Sequence, residues 1–260
     1  MPPNLSARLP ARLRAVIGGV FAAAFWVAVW QLLSIAVHQE LLLPSPAAVV
    51  RALGRLLVTR LFWESAGASL LRVAAGFAAA VALGSLLAVL TVRFRLAALL
   101  LSPLLRVVRA APVASFILLA FVWLRTDVLP GFIAFLMVAP VVWGNVEKGI
   151  RETDRGLLEM AAVYRLGPVR TVLLVRIPSV MPYFMAACTT GLGFAWKSGI
   201  AAEVIAYPAL SIGRQLNNAK IYLETPELFA WTATVVLLSI LLEKLLVAAA
   251  KRFGKRFNAI

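Results

Sequence analysis

The sequence has almost none of the residues on which most enzyme and metal sites depend. Only one cysteine, Cys188, and one histidine, His38, occur in 260 residues, which excludes a disulfide framework and any site built from several Cys or His ligands. The nearest phrase to a phosphate-binding loop, GLGFAWKS, has Trp196 where the second glycine is required. No His-Glu-x-x-His or Gly-x-Ser-x-Gly motif occurs. We therefore predict no catalytic residue, no metal site and no ATP site in this chain.

Acidic residues are also scarce, and the apolar fraction is high. The chain has 26 Lys and Arg residues against 11 Asp and Glu residues, 62% apolar residues and a mean hydropathy of +0.93. One soluble core could not hide that much apolar surface, so the chain must use lipid as its solvent. Strand-like alternation is missing, which disfavours a barrel. The basic residues lie mostly between apolar runs, which indicates membrane orientation rather than nucleic-acid binding.

Several apolar runs reach the length of about 20 residues that a helix needs to cross the bilayer. We predict an all-α, polytopic membrane protein in which residues 15–250 form the transmembrane domain, between basic cytoplasmic tails at 1–14 and 251–260. Residues 47–59 are predicted to form an amphipathic helix on the outer membrane surface, and residues 211–223 a polar outer segment. The six predicted spans are 15–37, 65–92, 96–123, 128–145, 180–207 and 226–250.

Span two carries small residues at steps of four, at positions 76, 80, 84 and 88. This spacing aligns them along one ridge, where another helix can approach closely. We therefore predict a packing seam along this side of the span.

Span three contains two arginines, Arg106 and Arg109, close to the helix-breaking Pro112. Residues three apart share one side of a helix, and a straight helix from Leu96 would place both arginines roughly 15 to 20 Å into the membrane. Charge at that depth usually faces a cavity or a partner, so we predict both as translocation-pathway residues. For Arg106 the alternative is that its side chain reaches back to the cytoplasmic interface.

Span five contains a second pair of charged residues, Lys197 and Glu203. Residues six apart point in different directions on one helix, so these two are not expected to pair with each other. Each then needs its own partner or water, which makes both candidate pathway residues. The alternative is that both lie near the outer interface.

The strongly charged loop between spans four and five reads EMAAVYRLGPVRTVLLVRIPSVMP from Glu159. We predict a short helix from Glu159 to Tyr164, a stop at Gly167 and Pro168, and a second helix over 169–177. Glycine can take the left-handed conformation after a helix, and proline cannot continue one. Such a protruding hairpin suits a partner's groove, and the alternative is an ordinary cytoplasmic loop.

The distribution of basic residues predicts the orientation. With both termini in the cytoplasm, sixteen Lys and Arg residues lie on the cytoplasmic side and six lie in outer loops. This bias supports the topology, and it places the Glu159 loop on the side where ATP is found.

The same loop resembles the EAA signature of ABC importer permeases through Glu159, Ala161, Ala162 and Gly167, followed by Ile177 and Pro178. Met160 and Pro168 are local variations. A Leu-Pro-Ser-Pro phrase at 43–46 is similar to the sulfonate, taurine and nitrate branch of that family. The resemblance covers residues 30–250. It implies the type I, MetI-like permease fold, in which the coupling loop 148–178 docks into an ATP-hydrolysing subunit.

The resemblance also implies the partners of the chain. These are two ATP-binding-cassette ATPase subunits, a second copy of the permease and an extracytoplasmic solute-binding protein, all at a bacterial inner membrane. The chain itself would bind no cofactor, since ATP and Mg²⁺ would belong to the ATPase. No nucleic acid is expected as a partner.

The predicted substrate is a small oxyanion. Arg106, Arg109 and Lys197 would make a cationic path, which fits a sulfonate, taurine or nitrate. The same branch also takes vitamin precursors and other small organic molecules, which remain an alternative. An ion-coupled secondary transporter or channel is an alternative of another class, but the inverted repeats it predicts are not seen. A structural scaffold would leave the Glu159 loop unexplained.

Overall fold

The computed structural model describes the backbone of residues 11–257 and the side chains of residues 17–249. This part of the chain is helical with no strand, which confirms the all-α prediction. The helices are α1 (Ala11–Val37), α2 (Pro46–Leu57), α3 (Arg60–Arg93), α4 (Arg95–Ala110), α5 (Val113–Phe121), α6 (Leu129–Arg151), α7 (Arg155–Val163), α8 (Pro168–Thr171), α9 (Ile177–Ala206), α10 (Ile212–Ile221) and α11 (Thr225–Phe257).

Five helical segments are long and apolar enough to cross a membrane, and the bent pair α4 and α5 makes a sixth if it counts as one span. Large apolar side chains cover the outside of these helices; on α1, for example, Phe21 is 73% exposed and Trp26 is 67% exposed. So large an apolar surface is unsuited to water, whereas lipid solvates it. The prediction of a multi-pass membrane protein is confirmed.

The helices at the two ends run further than the sequence indicated. Helix α1 begins at Ala11, within the tail predicted at 1–14, and α11 continues to Phe257, past the predicted end of its span at 250. Residues 1–10 and 258–260 of the predicted tails lie outside the described residues. The cytoplasmic placement of both termini stays a prediction.

Helices α3, α6 and α9 form the core of the bundle, and α6 lies between the other two. The small residues of the predicted ridge on α3 are all buried. A β-carbon added at Gly76 would collide with the backbone of Gly131 on α6, and one at Gly84 would lie 2.9 Å from the Ala139 carbonyl oxygen. The packing seam is therefore confirmed, and its partner is α6.

Predicted span three is not one straight helix. Helices α4 and α5 are bent by 105° relative to each other, at Ala111 and Pro112, which both have extended backbone conformations. Proline has no N–H to continue a helix and disfavours the helical conformation of the residue before it. Arg106 and Arg109 both lie in α4, before this bend, so the depth predicted for them in the membrane stays a prediction.

The remaining helices pack around this core. Ser45 caps the start of α2 by accepting from the Ala48 N–H at 3.2 Å, and Pro46 is the first helical residue. The Trp30 ring of α1 stacks on Phe229 of α11 at 5.9 Å. The amphipathic helix α2 and the polar helix α10 are both present near the predicted positions.

Candidate functional site

A helical hairpin of α7 and α8 (residues 155–171, hereafter the hairpin) protrudes from the bundle at the end where α6 stops and α9 starts. Asp154 caps α7, its carboxylate accepting from the Gly156 N–H at 2.7 Å. Helix α8 continues through one π-helical turn, Val172–Arg176, into α9, so that Pro168–Ala206 is a single helical rod of 39 residues. The second helix of the predicted hairpin is thus the start of a span rather than a separate element.

The turn of the hairpin differs in detail from the predicted one. Arg165, not Gly167, takes the left-handed conformation, with φ 51°. The Leu166 N–H then bonds the Ala161 carbonyl at 2.9 Å and the Arg165 N–H bonds the Ala162 carbonyl at 3.0 Å, which is the Schellman arrangement that ends many helices. Gly167 is extended, with φ −61°, and Pro168 starts α8 instead of ending a helix.

The EAA-like residues divide into exposed and packed positions. Glu159, Ala162 and Gly167 are exposed, whereas Ala161 is buried and Ile177 and Pro178 are half-buried. Glu159 has no ion pair within the part of the chain that the structure describes. Apolar side chains surround it on the hairpin surface, with these exposed fractions: Met160 49%, Val163 80%, Tyr164 74% and Val169 69%.

The two arginines of α4 have different surroundings. Arg109 donates from Nη2 to the Pro140 carbonyl of α6 at 2.7 Å, and its guanidinium lies against Gly144, where a larger residue would collide with it. Arg106 is exposed and lines a groove along α4. Arg109 therefore ties α4 to α6 just before the bend, and Arg106 is free to face solvent or a partner.

A groove of about 350 Å³ with both polar and apolar walls lies between α9 and α11. The exposed Lys197 lines it, about 13 Å along the axis from the end of α9 at 1.5 Å per residue. Among the described residues Lys197 has no carboxylate within ion-pair distance. An unpaired ammonium at that depth requires water, a ligand or a partner. The other polar residues of the groove are Thr189, Thr190, Ser239 and Glu243.

Glu203 lies in the protein interior, away from this groove, and is fully buried at 0% exposure. Its Oε2 accepts from the Ser69 hydroxyl at 2.7 Å and from the Gly213 N–H at 3.2 Å, and its Oε1 lies 3.4 Å from Nη1 of Arg72. Arg72 also donates to the Leu210 carbonyl at 2.6 Å. The carboxylate thus joins α3, α9 and the start of α10. We call Ser69, Arg72, Glu203 and the Gly213 N–H the Glu203 cluster.

Comparison with known proteins identifies the family. A family model described as "Binding-protein-dependent transport system inner membrane component" matches residues 80–259. The chain belongs to this family.

Named relatives are similar over most of the chain. A protein of Brucella melitensis, named a probable ABC transporter permease, is 30% identical over 245 residues, 93% of this chain and 98% of its own. A protein of Escherichia coli named as an aliphatic sulfonates transport permease, SsuC, is 32% identical over 201 residues, 76% of each chain. The bicarbonate transport permease CmpB of Synechococcus elongatus is 27% identical over 154 residues, 59% of this chain and 55% of its own.

The permease is therefore a multi-pass inner-membrane component of a bacterial ABC transport system. The family implies in general an ATP-hydrolysing partner and a solute-binding partner. The resemblance that the Glu159 loop indicated is confirmed. The functional roles of the individual hairpin and pathway residues stay predictions.

Arg72, the charged partner of Glu203, was not considered in the sequence analysis. A signal for it was available, because Arg72 lies in predicted span two at seven residues from its start, and Glu203 lies in predicted span five at four residues from its end. In an up-and-down bundle these positions have similar depth. Two opposite charges at similar depth in neighbouring spans are good candidates for a pair.

Proposed function

We propose that this permease imports a small oxyanion, driven by ATP that two partner ATPase subunits hydrolyse on the cytoplasmic side. The ATPases dock on the hairpin, a second permease copy completes the pathway, and an extracytoplasmic binding protein delivers the solute. The observation that carries this proposal is the exposed hairpin. It presents Glu159 within an apolar surface that no described part of the chain covers.

The helical connectivity supports a mechanical role for the hairpin. The rod Pro168–Ala206 has no break, and at 1.5 Å per residue its 39 residues span about 58 Å. If a partner displaces the hairpin, the span that carries Lys197 therefore moves with it. The π-turn at Val172–Arg176 lies between them, and such turns are frequent at functional sites.

The charged residues support an anionic solute. Lys197 in the groove and Arg106 on α4 are exposed cations without carboxylate partners among the described side chains. We propose both as contacts for the passing anion. We propose that Arg109 holds α4 on α6 beside that path. Glu203 would contact a solute only if α10 moved away from α3.

The relatives support the same substrate class. The names of two of them specify aliphatic sulfonates and bicarbonate, and both solutes carry negatively charged oxygens that an ammonium can bind. We propose that this permease transports an anion of that kind. Ethanesulfonate and bicarbonate are the probes for the test below.

Uptake of radiolabelled ethanesulfonate and bicarbonate by the host strain, with the native permease replaced by each variant, tests this assignment. We expect Lys197→Met to lower uptake by about tenfold or more, the size of a lost charged contact, and Lys197→Arg to restore part of it. Lys244→Met, on α11 outside the groove, is the control and should transport normally. Full uptake by Lys197→Met would contradict the role of Lys197, and no uptake of either anion by the wild type would contradict the substrate class.

A further inference from the structure

A large cavity separates α3 from α9 at the hairpin end of the bundle. The two helices touch near α10, where Gly199 packs against Val73 so closely that a β-carbon at Gly199 would overlap it. Toward the hairpin they diverge and leave a cavity of about 640 Å³, floored by Val146 and Ile150 of α6. We call this cavity the α3–α9 wedge.

The lining of the α3–α9 wedge is amphiphilic. The deep part of the wedge is apolar, and its walls include Val89, Val180 and Phe184. The charged residues of the lining are Arg93, at the end of α3, and Arg176, just before the start of α9. No carboxylate lines it, and neither arginine has an ion-pair partner in the described structure. The Ser85 hydroxyl is buried in the same wall without a hydrogen-bond partner among the described residues.

We propose that the α3–α9 wedge binds an anionic phospholipid of the cytoplasmic leaflet. One acyl chain would lie against the apolar walls, and the phosphate would bind between the guanidinium groups of Arg93 and Arg176. Guanidinium groups bind phosphate oxygens with paired, charge-assisted hydrogen bonds. Basic pockets between spans on the cytoplasmic side are typical sites for anionic head groups.

The charge pattern distinguishes anionic from zwitterionic lipid. A choline or ethanolamine head group adds a cation near Arg93 and Arg176, and the wedge lining offers no carboxylate to offset that repulsion. The position also has a consequence for the permease, since Val172, Arg176 and Ile177 of the lining join the hairpin to α9. A bound lipid would keep α9 apart from α3 at this junction.

Native mass spectrometry of the purified permease tests the proposal. The protein is titrated with phosphatidylglycerol, with phosphatidylcholine of identical acyl chains, and with glycerol phosphate, which has the head-group charge but no chains. Two variants are compared with the wild type. The first combines Arg93→Gln with Arg176→Gln. The second, Ser85→Phe, fills the apolar part of the wedge and keeps both arginines. The matched control, Arg165→Gln with Arg170→Gln, removes two exposed charges of the hairpin that do not line the wedge.

We expect the wild type to retain one phosphatidylglycerol with roughly 30-fold preference over phosphatidylcholine, the size expected for two basic groups. The Arg93→Gln, Arg176→Gln variant should lose this preference, Ser85→Phe should bind both lipids weakly, and the control should match the wild type. Equal retention of the two lipids by the wild type would overturn the proposal. So would equal losses in variant and control, or binding of glycerol phosphate as tight as that of the lipid, which would indicate a phosphate site.

Discussion

Removal of the Glu203 side chain is the perturbation whose cost follows most directly from the structure. Glu203→Ala leaves the Ser69 hydroxyl and the Gly213 N–H without their acceptor and removes the counter-charge of Arg72. Breaking a buried pair in this way costs about 3 to 5 kcal/mol. The Arg72 side chain is 20% exposed and keeps the Leu210 carbonyl, so we expect the lower end, about 3 kcal/mol.

The cost can be graded by variants within the same cluster. Ser69→Ala removes the hydroxyl that donates to Glu203 and accepts from the Ile212 N–H at 2.9 Å, and it should lower the free energy of unfolding by about 1 to 2 kcal/mol. Glu203→Gln keeps an oxygen acceptor but loses the charge, so it should fall between Ser69→Ala and Glu203→Ala. Glu224→Gln, an exposed carboxylate in the turn before α11, is the control.

Thermal unfolding of the detergent-purified permease, followed by tryptophan fluorescence, measures this series. For a chain of this size about 1 kcal/mol shifts Tm by roughly 2 to 4 °C. We therefore expect Glu203→Ala to lower Tm by roughly 6 to 12 °C and Glu224→Gln to leave Tm nearly unchanged. If Glu203→Ala and Glu224→Gln have the same Tm, the Glu203 cluster does not hold α10 on the bundle, and the reasoning fails.

Two further expectations concern packing. Gly76→Ala should lower the free energy of unfolding by about 1 to 3 kcal/mol, because the methyl group would overlap the Gly131 backbone. Gly67→Ala, with nothing within 4 Å of the added carbon, should leave Tm unchanged or raise it slightly in the same fluorescence assay, since alanine favours a helix more than glycine does. A Tm for Gly76→Ala equal to that of Gly67→Ala would argue against the seam. Cys188 is 5% exposed and should react with maleimide only after denaturation, as mass spectrometry would show; rapid labelling of the folded protein would contradict its burial.

The bundle could be predicted from two features of the sequence. The apolar runs are long enough to cross a lipid bilayer, and small residues recur at a regular spacing. The ridge that includes Gly76 and Gly84 was predicted from a four-residue spacing, and the structure packs it on α6. The bend at Pro112 was visible as a helix breaker, but its angle of 105° was not. That angle depends on how α4 and α5 pack against other helices, including the contact between Arg109 and Pro140.

In the hairpin, local sequence rules predicted the wrong residue for the left-handed conformation. Gly167 before Pro168 indicated a left-handed glycine at the end of a helix, yet Arg165 takes that conformation. Two carbonyls of α7 accept from the N–H groups of residues 165 and 166, and these bonds stabilise the left-handed residue two positions earlier than predicted. The pairing of Glu203 with Arg72 joins two spans that are 131 positions apart, so it could be predicted only by comparing the depths of charged residues in different spans.

The account depends most on the docking of an ATPase at the hairpin. Affinity-tagged permease is purified from the native host membrane, and the copurifying ATPase is identified and quantified by mass spectrometry for the wild type, Glu159→Lys, Gly167→Val and the control Glu224→Lys. Apart from its two chain neighbours, no described atom lies within 4 Å of a β-carbon at Gly167, so a side chain at this position has open space beside it in the permease alone. We predict that the wild type and Glu224→Lys retain the ATPase and that Glu159→Lys and Gly167→Val, although inserted and folded, lose it. Full ATPase recovery with both hairpin variants would contradict the central claim.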